Sequence, residues 1–550
     1  MPESEERVGR EAGGPAPPDA GSQGVITRVL LILVLAQLAW CSAFIARSSF
    51  RLGGARHFSL FDDALISLSY ARHLVDGFGL NWARQGAPVE GFTHPLWVLL
   101  MVPANLGLPL RLRCLPVQIL SAALLLAETV LLARCARRHF STGATCDGLP
   151  AAAATAFYFP LSYWALAGME SALQALLTTA AVSLALDLTE RRWNRAAVLW
   201  LTLALAYLLR MDMLLLAAVV WAFVLWRTRG EILRTRAFWL GALTFVLAVL
   251  GYELFRFLYF GDLLPNTYYL KLTGVPLEVR LLRGLATFGD FARDNALLLG
   301  CAAAGTFLAW RTFRSAVLLP AAIFTACCLY DVWLGGDAFE GITLANRFLC
   351  FVIPLLFLLF GAGTAALGER FRFHPSQRTS LAAAAALALV LLENGLVRGD
   401  AAAHWRDLLI VNRPGFADRS EQLLTRLGRL ERILAPTGRV ATSFAGIPAF
   451  WSDYQLIDIL GYNDRELAHR PTTVPLSRAN FRDFRPGHNK WDYEAVFRRQ
   501  PDAFFTTYGI DAAERWELMS RHGYVPLEGF WVRPGSPALL RTPPLRAPDS

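Results

Sequence analysis

SLFDDALISLSYARHLVDGFGLNWARQGAPVEGFTHP, residues 59–95, is the stretch around which the chain is organised. It follows the first long apolar segment and carries two adjacent carboxylates, Asp62 and Asp63. An amphipathic pattern follows, with Leu65, Leu68, Ala71 and Leu74 at three-residue spacing, which predicts a helix. Two glycine-bearing turns, Gly77-Phe78-Gly79 and Glu90-Gly91-Phe92-Thr93, close it. Carboxylates beside lipid are costly, so an acid pair just outside a first membrane span points to function.

Working outward, the 550 residues are 55% hydrophobic, a load foreign to soluble proteins. Apolar runs near membrane-spanning length recur from Val25 to Val397. Residues 1–24 are polar and rich in Pro, Gly and Glu, and read as a disordered cytoplasmic tail. Residues 25–45 read as a signal anchor, too long for the core of a cleaved signal peptide. The formal charge of +9 is no nucleic-acid signal, because the arginines cluster in short loops between apolar runs. Only two lysines occur, Lys271 and Lys490. All eight cysteines precede residue 351, so the polar tail after Gly399 must fold on an ordinary core.

The arginines set the topology. Groups at 134–138, 191–195, 227–236, 311–314 and 370–378 mark cytoplasmic loops under the positive-inside rule. Threading spans between them gives eleven, near 25–46, 115–133, 149–167, 170–188, 196–209, 211–226, 237–258, 293–310, 315–333, 347–366 and 380–398. Residues 95–110 are apolar enough to span, but would reverse every later loop, so they are expected to lie at the outer face. The fold class is thus a polytopic α-helical membrane protein, with a membrane domain at 25–398 whose first outer loop is 47–114. Residues 399–550 form a soluble extracytoplasmic α/β domain. There, Asp418-Arg-Ser-Glu421 predicts a helix start, 439–444, 455–460 and 503–507 read as strands, 492–499 as a helix, and 524–532 as a strand or hairpin arm.

The unusual loops all fall on the outer side of this topology. Adjacent helical residues point about 100° apart, so only one of Asp62 and Asp63 faces an acceptor. Asp62, at the loop-to-helix junction, is the expected general base; Asp63 is the expected partner of a cation or of an arginine such as Arg72. The competing reading is a helix start whose acids favour the dipole. Lys271 ends an outer loop at the depth of a lipid phosphate, and the alternative there is an interfacial snorkelling lysine. Arg347 is a second phosphate candidate or a boundary anchor. Glu170, Asp212 and Asp337 stand at outer span ends, where helix caps and arginine partners are common; Arg210 is the obvious partner of Asp212. His488 lies in a turn before a helix, as an acceptor contact or as plain structure. No metal-binding or phosphate-cradling motif occurs, and no catalytic serine can be identified.

These residues resemble the GT-C superfamily of membrane glycosyltransferases, and most of all the subfamily of the mycobacterial terminal β-arabinofuranosyltransferase. The likeness rests on Asp62-Asp63-Ala-Leu-Ile-Ser with Tyr70-Ala-Arg, Val89-Glu-Gly-Phe-Thr-His-Pro-Leu-Trp, Gly168-Met-Glu-Ser-Ala-Leu, Leu208-Leu-Arg-Met-Asp, Gly261-Asp-Leu-Leu-Pro-Asn-Thr-Tyr-Tyr-Leu-Lys and Gly335-Gly-Asp. In the tail, Asp458-Ile-Leu-Gly-Tyr-Asn-Asp and Gly487-His-Asn-Lys-Trp-Asp-Tyr-Glu also fit, so it covers about residues 55–510. Where the resemblance leads one to expect Pro-Asp after the arginine of span five, this chain has Arg210-Met-Asp212.

The resemblance implies transfer of a sugar from a polyprenyl-phosphate donor to an envelope glycan or lipid acceptor on the outer face of a bacterial inner membrane. Arabinofuranose is the first sugar it suggests, and inversion the expected stereochemistry. Asp62 and Asp63 would be catalytic, and Lys271, Arg347 and Arg72 would meet the donor phosphate. Glu90, His94, Glu170, Asp212, Asn266, Tyr269, Asp337 and His488 would contact substrates. The implied partners are the lipid-linked donor, the acceptor and the bilayer, with no nucleic acid. No cofactor is fixed by the sequence; a divalent cation beside Asp62 and Asp63 is the one considered. The competing function is a lipid-linked-sugar flippase, for which paired halves and interrupted mid-membrane helices would speak.

Overall fold

The structure, a computed structural model, describes residues 20–142, 148–395 and 401–541. Most of the expected tail at 1–24, and the expected boundary at 399, lie outside the described residues; Ala20 already opens the first helix, Ala20–Ser48. The chain is a multi-pass membrane protein of mainly helical structure, with a small mixed sheet near its carboxyl terminus. Among the described residues, seven helical segments are long and apolar enough to cross a bilayer: Thr27–Ser48, Leu110–His139, Ser171–Thr189, Met211–Thr228, Arg236–Phe260, Ala296–Leu334 and Ile353–Arg370. Ala296–Leu334 holds two expected spans in succession, joined by the turn Arg314–Val317.

Departures from the expected spans have local causes. The segment at 149–167 is broken at Tyr158 into Leu149–Phe157 and Phe159–Leu166. Pro160 has no amide proton, and its ring would strike the carbonyl four residues back in a continuous helix. The tenth span starts at Ile353 rather than 347, leaving Arg347 in a turn. Residues 95–110 contain a helix of only seven residues, Pro95–Met101, followed by the short 3₁₀ turn Val102–Asn105. Eleven residues rise about 16 Å, roughly half a bilayer core. The helices Ala296–Phe313 and Ile353–Arg370 cross where Gly305 meets Gly363, and a Cβ on Gly363 would collide with the facing backbone.

The two ends of the bundle differ in chemistry. At one end, Arg138, Arg192 and Arg195 converge on Asp187, Arg191 reaches Glu231, and Arg378 reaches Thr142. These contacts bring together the arginine-bearing segments at 134–138, 191–195, 227–236 and 370–378. The acid-pair helix, Asp62–Val75, lies at the other end and packs against the carboxyl-terminal domain.

A hairpin, β1 (Phe50–Leu52) and β2 (Ala55–His57), links the first helix to this region. The domain sheet contains β3 (Arg439–Thr442), β4 (Gln455–Asp458), β5 (Ala503–Phe504), β6 (Val525–Leu527) and β7 (Phe530–Val532), in the order β4-β3-β5-β7-β6. β3 is parallel to β4 and β5, while β5–β7 and β6–β7 are antiparallel. The amphipathic helix Gly415–Leu430 buries Leu423, Leu424, Leu427 and Leu430. It begins after Pro414, so Asp418 lies in its first turn rather than at the cap; proline fixes the entry more firmly than the acid does. Asp492 does cap the helix Tyr493–Arg498.

Candidate active site

The first turn of helix Asp62–Val75 sends its two carboxylates in different directions. Asp62 accepts hydrogen bonds from the amides of Ile447 (2.8 Å) and Gly446 (3.1 Å), at the start of the short helix Ile447–Trp451. Burial pushes its carboxyl up to about 7, against the pull of those amides. Gly446 is needed there, because a Cβ would strike the backbone carbonyl of Asp62. Asp62 is therefore not the uncommitted base its junction position suggests: both oxygens are bound to the carboxyl-terminal domain. Arg72, nearly three turns on, is likewise engaged elsewhere. Its guanidinium donates to the Phe450 carbonyl (2.6 Å) and to Asp453 (2.7 Å), and it pairs with neither Asp63 nor a cavity.

Asp63 accepts from Arg347 Nη1 at 2.7 Å. Arg347 also holds Asp337, whose backbone carbonyl accepts from Arg283 at 2.7 Å. Asp63 is the carboxylate shared by two cavities, and Ile66 and Tyr462 are the other residues common to both. The first cavity faces the bundle and gathers Asp63, His94, Glu170, Asp212, Lys271 and Arg347. The second, the roomier of the two, lies between bundle and domain, lined by Asp62, Asp63, His488 and many aromatic rings.

Polar pairing in the first cavity is nearly complete. Arg210 forms two bonds to Asp212, at 3.1 and 2.5 Å, and one to Glu170 at 2.8 Å. Burial works to raise Glu170, but the charges of Arg210 and of His94 in its protonated form hold it well below the usual carboxylate range. Burial lowers the His94 imidazole, against the pull of Glu170, and its Nε2 lies 2.5 Å from Ser67 Oγ. Lys271, on the short helix Asn266–Leu272, is different. Among the described residues no carboxylate lies within ion-pair distance of it, and burial, aided by the charge of Arg347, lowers its ammonium to about 8. Desolvating a cation without a partner is costly unless a ligand supplies the opposite charge.

Four expected substrate contacts line neither cavity. Glu90 is buried against Arg256 Nε (2.6 Å) and Tyr252 (2.6 Å) and stands behind the wall that carries His94. Asn266 donates to the carbonyls of Gly461 (2.9 Å) and Tyr462 (2.8 Å), tying the Lys271 helix to the domain. Tyr269 stacks on His469 with centroids 4.1 Å apart. Asp337 is a step behind the wall, holding Arg347, while its neighbour Gly336 lines the cavity. Sequence reasoning missed Ser67, Tyr462 and Lys490. The Lys490 ammonium donates to the carbonyls of Ala468 (2.7 Å) and Tyr269 (2.8 Å) and to Thr273 (3.1 Å). Its rarity as a lysine was the available signal.

Amides of Gly446 and Ile447 hold the Asp62 carboxylate, and the Arg347 guanidinium holds that of Asp63. Among the described residues, three candidate ligand atoms come together only at His139, Asp187 and Glu190, at the opposite end of the bundle. There the three arginines around Asp187 already neutralise it.

Residues 415–537 match a family model described as a domain of unknown function, DUF8728. No curated protein matches the chain. Among solved structures the chain is similar to ArnT from Cupriavidus metallidurans in the apo state, at 14% identity and a TM-score of 0.47, covering 79% of this chain and 86% of that one. It is similar to the same protein bound to undecaprenyl phosphate at 13% identity and a TM-score of 0.47, covering 80% and 86%.

Proposed function

We propose that the chain is a membrane glycosyltransferase that moves a sugar from a polyprenyl-phosphate donor to a glycan or lipid acceptor. The observation that carries this reading is the position of Asp63 on the wall common to two cavities, one of which holds the unpaired Lys271. The donor phosphate sits at Lys271, with Arg347 next to it, in the bundle-side cavity. The acceptor enters the aromatic cavity under the carboxyl-terminal domain, whose rings suit the apolar faces of sugars. Asp63 takes the acceptor hydroxyl proton as that oxygen forms its bond to the anomeric carbon. The bond from that carbon to the phosphate oxygen breaks, and polyprenyl phosphate leaves with its extra negative charge facing Lys271. The Asp63 carboxylate thus takes the role that the sequence assigns to Asp62.

Arabinofuranose on a cell-wall glycan remains the favoured sugar and acceptor on the sequence motifs. The cavity end and the carboxyl-terminal domain face outward from a bacterial inner membrane, a reading supported by the arginine loops gathered at the far end. Two measurements test it. Purified protein in lipid nanodiscs should bind undecaprenyl phosphate in a manner that depends on Lys271, and failure to bind it sinks the donor assignment. Cysteines introduced at the exposed Ser520 and Arg191 should react with an impermeant thiol reagent in spheroplasts at 520 only; the opposite pattern reverses the orientation.

A further inference from the structure

His94 Nδ1 and Glu170 Oε2 are both buried in the wall of the bundle-side cavity, 3.8 Å apart, and neither has a hydrogen-bond partner. Leaving two such atoms unsatisfied costs free energy, and the gap between them is too long for a direct bond. The rest of each side chain is fixed. Glu170 is held by Arg210, and the His94 ring by Ser67. When Ser67 donates to Nε2, the neutral ring carries its proton on Nδ1 and has a donor to offer. The pair then presents one donor and one acceptor, which is the complement of a hydroxyl group.

Charge narrows the ligand further. The cavity wall carries three carboxylates, Asp63, Glu170 and Asp212, and three cationic side chains, Arg210, Lys271 and Arg347. Arg347 is bound to Asp63, and Arg210 to both Glu170 and Asp212. Lys271 alone is left, and it is used by one phosphodiester. A second anionic group would face carboxylates with no free cation.

Resting on the donor reading above, we propose that the sugar of the donor carries no anionic group and presents a hydroxyl to this pair. One of its hydroxyls inserts between His94 and Glu170, donating to Glu170 Oε2 and accepting from His94 Nδ1. These two residues recognise the sugar, while Lys271 recognises the phosphate.

Binding to the full-length protein in nanodiscs separates the two. The probes are farnesyl phosphate and farnesyl-phosphoryl derivatives of arabinofuranose, mannose, glucose, galactose and glucuronic acid. At least one neutral derivative should bind about tenfold tighter than farnesyl phosphate, the scale of one buried hydrogen bond to a charged group. Glu170→Gln and His94→Ala should each abolish that gain while leaving farnesyl phosphate affinity within about twofold, with melting temperatures confirming that each variant folds. His94→Ala keeps the test open if Glu170→Gln releases Arg210 and unfolds. A gain that survives in both variants, or a glucuronosyl derivative that binds as tightly as the best neutral one, overturns the proposal. Failure of farnesyl phosphate itself to bind overturns the donor reading, and this proposal with it.

Discussion

The two ends of the helical bundle carry similar residues and treat them differently. At the arginine-rich end, Arg138, Arg192 and Arg195 surround one carboxylate, Asp187, and their side chains remain 32–48% exposed. At the cavity end, Arg210 and Arg347 are only 9% and 6% exposed, and each is shared between two carboxylates. In the first group the carboxylate is buried but the guanidiniums stay partly in water and three of them share one charge, so no single arginine there is worth much. Buried pairs of the second kind fix geometry, because breaking one strands the other charge. Against such thorough pairing, an unmatched Lys271 stands out as a place for a ligand.

The strongest way to break this contrast is to alter the shared wall. Asp63→Asn should lower sugar transfer by roughly 10²–10⁴, the scale of general base catalysis, while donor affinity changes little. Asp62→Asn should instead weaken docking of the carboxyl-terminal domain, seen as a lower melting temperature. Equal turnover in wild type and Asp63→Asn would return the base to another group.

Next in size is the donor cation. Lys271→Met should cost about 1.5–3 kcal/mol of donor binding, roughly ten- to a hundredfold in affinity, and Lys271→Arg less. The pH dependence sharpens this. Lys271 is charged below about 8 and neutral above it, so donor affinity should be highest at neutral pH and fall as pH rises through 8. Lys271→Met and Lys271→Arg should both flatten that fall. A wild-type profile that is flat between pH 7 and 9 would remove Lys271 from the donor site.

Gly446→Ala should have a smaller effect, on stability rather than chemistry. The new methyl meets the Asp62 carbonyl, and overpacking of this kind costs about 1–3 kcal/mol. Limited proteolysis should then cut between bundle and domain more readily; an unchanged pattern would mean that the contact tolerates a shift. Smallest of all, Arg192→Ala should change stability by under about 0.5 kcal/mol. A larger loss would mean that the arginine end is more than an orientation signal.

Much of this was readable in the sequence, and the limits have a physical basis. Apolar periodicity and turn residues are local signals, so the long helical segments and the strands of the small sheet follow from them. Lys271, Arg347, Asp63, His94, Glu170 and Asp212 were all singled out and share one cavity. The choice between Asp62 and Asp63 was not readable. It depends on Gly446 and Ile447, nearly 400 positions away, whose amides claim Asp62. Arg72 was misread for the same reason, since Asp453 and Phe450 are equally remote. Glu90 has a different cause: nothing near it in sequence announces that Arg256, within a lipid-facing helix, turns inward to meet it.

Lys490 has a consequence for how such a protein can be rebuilt. Its ammonium ties the carboxyl-terminal region to the carbonyl of Tyr269, two positions from Lys271. The carboxyl-terminal region is therefore part of the jig that sets Lys271, rather than a cap placed over a finished cavity. On the proposed function, a hybrid that joins this membrane half to a foreign carboxyl-terminal half would inherit the foreign half's setting of the phosphate site along with its acceptor surface. The two halves can be exchanged only as a matched set.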